Sequence, residues 1–138
     1  SRKAPANSVL MVCIGATIGK VGINNIDVCF NQQINSLTTS DKFDAELIYW
    51  QMRGKRFQNE VIRNAGQATL PIINKSKWEN LSIFLPASLH DQIEIRTLLR
   101  KINIETENFI NNKLQKIQNL HALKSTILKK TLKQSEAA

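Results

Sequence analysis

Two patterns of apolar positions divide this chain of 138 residues. Up to Leu85-Pro86, short apolar runs alternate with glycine turns and polar stretches. From Ala87 to Gln134 there is no glycine or proline, and an apolar residue recurs every three or four positions. The first pattern predicts a small mixed domain and the second a single long helix. The fold class expected is therefore α+β, a mixed α/β domain at 1–86, followed by a long C-terminal coiled-coil helix at 87–134 and a tail at 135–138.

Within the first part, Val9 to Ile14 reads as a buried strand. Gly15-Ala-Thr-Ile-Gly19-Lys20 is a turn, because glycine tolerates backbone angles that other residues avoid. Val21 to Ile23 and Val28 to Phe30 are expected as strands around an Asn24-Asn25 turn, and Ile34 to Leu37 as another. Asp44 to Gln51 predicts a short helix with Leu47, Ile48 and Trp50 inward, interrupted at Gly54. Phe57 to Arg63 predicts a second, with Phe57, Val61 and Ile62 on one side and Gly66 as its stop. Leu70 to Ile73 should be extended, as the residue before a proline prefers. Asn74 to Glu79 fits a turn of helix. Leu81 to Leu85 is expected as a last strand, ended by Pro86.

Ser88 and Asp91 make a capping-box-like start for the long helix. Its apolar stripe begins broad, with Leu89, Ile93, Ile95, Leu98, Leu99 and Ile102. It narrows to Ile110, Leu114, Ile117, Leu120, Leu123 and Ile127, which resembles a coiled-coil seam. At 1.5 Å per residue, about 45 helical residues reach roughly 70 Å. A domain of about 85 residues cannot cover such a stripe. A second helix must, and a homodimer through this seam is expected.

Composition adds a weak pointer. The net charge is +8 and the isoelectric point about 9.8, which favours a polyanionic partner. Cys13 and Cys29 lie in apolar runs, so buried free thiols in a reducing cytoplasm are expected rather than a disulfide. Two cysteines with the distant His90 and His121 make no zinc spacing, and neither a metal nor a cofactor is expected. No apolar run approaches the length of a membrane span, and no charged-then-apolar secretory start opens the chain. The abrupt opening at Ser1-Arg2-Lys3 is expected to be that of a fragment.

Candidate chemistry sits in the turns. Gly15 to Lys20 lacks the glycine spacing and the Ser or Thr of a nucleotide-binding loop. A hairpin tip offering backbone N–H groups and Lys20 to a DNA phosphate fits better. In Asn31-Gln32-Gln33, the amides of Gln32 and Gln33 can pair with adenine edges; the alternative is a solvated turn. Arg53, Lys55 and Arg56, with Arg63, can neutralise phosphates; the alternative is a solvated charged face. Gln67 lies in a polar loop of the kind that faces ligands. Six lysines, Lys113, Lys116, Lys124, Lys129, Lys130 and Lys133, follow Glu107 with no acid before Glu136, giving a solvated face or a surface for an acidic partner. No catalytic constellation is present, so a non-catalytic binding module is expected.

Taken in order, these pieces resemble the specificity subunit of type I restriction–modification systems. Gly15 to Ile23 resembles that family's glycine hairpin, and Phe30-Asn31-Gln32-Gln33-Ile34 its strand entry. Leu47-Ile-Tyr-Trp50 is similar to its aromatic helix. Ala68 to Lys75, continuing through Trp78 to Leu81–Pro86, resembles the segment that closes a target recognition domain. Leu89-His-Asp-Gln92-Ile93 resembles the opening of its spacer helix. The resemblance spans residues 9 to 134. It implies an α/β domain that reads one half of a split target on double-stranded DNA, and a helix that pairs with another to set the spacing. It also implies methylation (modification) and restriction subunits as partners, with catalysis in those subunits. A complete subunit of the family has two recognition domains and two spacer helices; by that resemblance this chain is expected to hold one helix and the latter part of one domain, its start missing or very short. A dimeric coiled-coil scaffold that docks proteins without touching DNA is the alternative. Steep salt dependence of binding separates the two.

Overall fold

The computed structural model describes residues 2–66 and 69–135. Its elements run β1 (Arg2–Ala4), β2 (Val9–Val12), β3 (Val21–Ile23), β4 (Val28–Phe30), β5 (Ile34–Leu37), α1 (Ala45–Arg53), α2 (Lys55–Ala65), α3 (Lys75–Glu79) and α4 (Leu89–Ser135). Contacts divide the chain between Leu98 and Leu99 into two units. The expected small mixed region of strands and short helices, followed by a long helix, is what the chain forms.

In the first unit, β2 is the centre of an antiparallel sheet of order β3-β2-β5. Val9 faces Ile23 on one side and Leu37 on the other. Alternation along β2 sends Val9 and Met11 inward, and Cys13 continues that face. Ile48 and Met52 from α1, Phe57 and Val61 from α2, and Ile73 close the core over it. Phe57 and Val61 lie four apart and share a helix face. Ile62, expected beside them, is rotated off by one position and is 62% exposed.

Caps define the short helices. Asp44 Oδ1 accepts from the Leu47 N–H at 2.8 Å, and Asn74 Oδ1 accepts from the Lys77 N–H at 2.9 Å. Caps of this kind contribute about 1 kcal/mol each. Gly54 ends α1 and begins α2, and Gly66 ends α2 with φ of 77°. At the start of α4, the Asp91 N–H reaches Ser88 Oγ at 3.5 Å, a long bond for a cap.

The first turns of α4 belong to this unit and are tied to α1. Gln92 is fully buried. Its Oε1 accepts from the Asp44 N–H at 2.9 Å, and its Nε2 donates to the Pro86 and Lys42 carbonyls at 2.8 and 3.4 Å. Arg96 Nη1 lies 3.2 Å from Asp44 Oδ2, so one carboxylate both caps α1 and pairs with α4.

Two further expectations change, the strand at 81–85 and the burial of Cys29, and two features are added. The opening residues form β1, which pairs antiparallel with β4, Arg2 opposite Phe30. Residues 81–85 are no ladder strand, although Leu81, Ile83 and Leu85 still turn inward on the core. Among the described residues no strand pairs with them; instead the side-chain amide of Gln51 accepts from the Phe84 N–H at 3.0 Å and donates to the Phe84 carbonyl. Of Leu70 to Ile73, Ile72 alone makes a bridge, to Ile14. Cys13 is buried but Cys29 is exposed, because β4 lies in a two-stranded sheet with little to cover it.

The second unit is α4 from Leu99 onward. Ile110, Leu114, Ile117, Leu120, Leu123 and Ile127 are each 49% to 56% exposed. Among the described residues, no helix is long and apolar enough to cross a membrane.

Candidate nucleic-acid interface

The loop between β4 and β5 turns tightly. Asn31 Oδ1 accepts from the Gln33 N–H at 3.0 Å, and the Gln33 carbonyl accepts from the Cys13 N–H at 2.7 Å. Asn31 Oδ1 is thus committed to the turn, while Asn31, Gln32 and Gln33 all stay exposed. They line an open groove of about 940 Å³ with Arg2, Cys29, Phe30 and Asn31. Arg2 comes from β1 and is held there by its Nη1, which donates to Asn35 Oδ1 at 3.1 Å.

The hairpin between β2 and β3 carries Lys20. The N–H groups of Gly15, Ile18, Gly19 and Lys20 are committed to the carbonyls of Pro71, Gly15, Val12 and Thr17 at 2.9 to 3.1 Å. The tip therefore presents the exposed Lys20 side chain rather than a cradle of those four donors. Gly19 is required there: its φ is +83°, and a Cβ would strike Gln58 Oε1. Gln58 Nε2 donates to the Gly19 carbonyl at 2.8 Å, which anchors the hairpin to α2.

The junction of α1 and α2 gathers the other basic residues on aromatic faces. Arg53 donates to Tyr49 Oη at 2.7 Å, and its guanidinium lies 5.2 and 5.1 Å from the Tyr49 and Trp50 ring centres. Arg56 lies 4.0 Å above the Phe84 ring. Stacked guanidinium groups keep most of their N–H donors available and lose less side-chain freedom on binding a phosphate. Lys55 is exposed between them. Gln67 lies outside the described residues.

The candidate residues thus fall in three neighbourhoods: the groove with Gln32 and Gln33, the hairpin with Lys20, and the aromatic-backed junction with Arg53, Lys55 and Arg56. Sequence alone does not single out Arg2 and Asn35. No local pattern marks them, because strand pairing brings together positions 33 apart. Burial pushes the Cys13 thiol above its ordinary range. No group of three or more potential metal ligands occurs among the described residues.

A family model described as the type I restriction modification DNA specificity domain matches residues 2–119. The chain belongs to that family. The match runs through the sheet and short helices and into α4, so this is a specificity domain of the restriction–modification type, a recognition module by family. No curated protein matches the chain in sequence. A chain from a solved structure on complex assembly and conformational transition of the type I R-M system is similar in fold. Its TM-score is 0.59 at 17% identity, over 79% of this chain and 26% of that one. The specificity domain described here therefore spans about a quarter of that chain's length.

Proposed function

We propose that this chain reads one half of a split target on double-stranded DNA, and that its long helix pairs with a second such helix to set the distance between two readers. In this reading residues 1–86 recognise DNA and 87–134 serve as spacer. Methylation subunits dock on the assembly and restriction subunits cleave, so the chain itself catalyses nothing. Gln32, Gln33 and Gln67 contact bases, while Lys20, Arg53, Lys55 and Arg56 hold phosphates. A homodimer forms through Ile110, Leu114, Ile117, Leu120, Leu123 and Ile127.

The observation that carries this reading is the family match, which includes both the sheet-bearing unit and more than half of the long helix. The groove lined by two free amides and a guanidinium supports a base-reading role. The half-exposed stripe along α4 supports helix pairing, since burying it removes apolar area from water at about 25 cal/mol per Å².

Binding to randomised duplex DNA at two salt concentrations, alone and with a methylation subunit, tests the reading. Selection of one short motif is expected. The logarithm of affinity should fall with the logarithm of salt concentration by about 0.9 per phosphate neutralised. Absence of DNA binding in both states, beside a stable protein complex, would leave the helix scaffold as the function.

A further inference from the structure

The structure assigns Arg2 as a specificity-determining residue that reads a guanine edge, with Asn35 as the residue that positions it. This rests on the DNA-recognition reading above and adds to it a base and a device.

Asn35 is 7% exposed, in the middle of β5, opposite Met11 in the register of the three-stranded sheet. A buried amide needs partners, and one of Asn35's is the guanidinium of Arg2, which reaches it from the other sheet. The bond crosses the base of the β4–β5 loop, whose ends are Phe30, the register partner of Arg2, and Ile34, the neighbour of Asn35. An arginine has five N–H donors in a rigid fork. One Nη1 donor is used on Asn35, and the side chain still lines the groove. The guanidinium is thereby held at one end and open at the other.

An arginine fork pairs with guanine O6 and N7, whereas glutamine pairs with adenine N6 and N7. Asn31 Oδ1 is occupied within the loop, and the Gln33 carbonyl is occupied by the Cys13 N–H just past β2. The side-chain groups that can face a base are the Arg2 fork, the amides of Gln32 and Gln33, and the Asn31 Nδ2 donor. A guanine reader beside an adenine reader makes the groove select mixed purine steps. Arg2 is also poised for guanine rather than phosphate by its anchor. A phosphate contact tolerates a swinging side chain, but bidentate base reading needs the fork fixed in orientation.

The test compares wild type, Arg2→Lys, Arg2→Ala, Asn35→Asp and Asn35→Ala. Each is taken as the full chain with its methylation subunit, through selection from a randomised duplex library. Circular dichroism establishes that each is folded at the temperature used. Arg2→Lys keeps the charge and loses the fork. It is expected to relax preference at a single guanine position by roughly 5- to 150-fold while leaving the salt slope unchanged. Asn35→Asp keeps an acceptor oxygen for Arg2 and should retain the preference, whereas Asn35→Ala should relax it at that same position. An unchanged motif in Arg2→Lys overturns the assignment. So does Arg2→Ala weakening every sequence equally with the salt slope lower by about one, the mark of a phosphate contact. Wild type selecting no motif at any salt sinks the recognition reading itself, and this assignment with it.

Discussion

The two units of this chain treat their apolar residues in opposite ways. In residues 2–98 an inward face is closed from several directions: Met11 and Val9 from the sheet, Met52 and Val61 from the helices, and Ile73 from the segment between. From Leu99 onward the apolar stripe of α4 stays about half exposed along its length. The first unit closes a core within one chain, although Leu89, Ile93, Ile95 and Leu98 at the start of α4 stay 38% to 58% exposed. The second carries an equally regular pattern that one chain leaves uncovered. An amphipathic helix draws most of its stability from packing rather than from propensity, and on the proposed reading a partner helix supplies that packing for the second unit.

The sharpest way to break this contrast is at the seam. Replacing both Ile117 and Leu120 with glutamate is expected to convert a dimer wholly to monomer at micromolar concentration, read by light scattering, while the first unit keeps its circular dichroism. A dimer that survives would mean the seam lies on another face of α4. Next in size is the core. Met52 is 1% exposed, and Met52→Ala should lower stability in urea unfolding by about 2–5 kcal/mol. That loss should not depend on protein concentration, unlike any loss caused at the seam.

A smaller effect is expected where α4 begins. Gln92→Leu leaves the Asp44 N–H and the Pro86 carbonyl without their partner, a cost of about 1–3 kcal/mol in the same measurement. Gln92→Glu keeps an acceptor for Asp44 but removes the donor to Pro86, and should fall between wild type and Gln92→Leu.

The smallest effect concerns the thiols. Cys29 is expected to react with a thiol reagent in the native protein and Cys13 only on unfolding, since one is exposed and the other buried. Burial raises the Cys13 thiol above its ordinary value of 9.0. The folded state then holds its proton where the unfolded chain has lost it. Stability is fully present below pH 9.0 and declines as pH rises past it. Cys13→Ala should flatten that decline, as followed by thermal melting across the same pH range.

Much of this was legible along the chain. Asp44 and Asn74 precede their helices with side chains that reach the third N–H beyond, an interaction that needs no distant partner. The glycine turn at 15–19 and the stop at Gly66 follow from φ values open to glycine. The length of α4 follows from a stretch without breakers, and the family from the order of the turns.

What remained hidden depends on pairing. Leu81 to Leu85 alternates like a strand, yet a ladder needs a neighbour, and the amide of Gln51 stands in that place. Ile62 looks like core by composition and is solvent-facing because of one step of helical rotation. Cys29 is exposed because its sheet has only two strands. Local sequence by itself determined most of the elements, their caps and turns, and the regular apolar stripe of α4, because each of those rests on interactions within a few residues. Tertiary structure alone decided that Arg2 meets Asn35 beside Gln32 and Gln33, because strand register can join residues 33 apart that carry no local mark of each other.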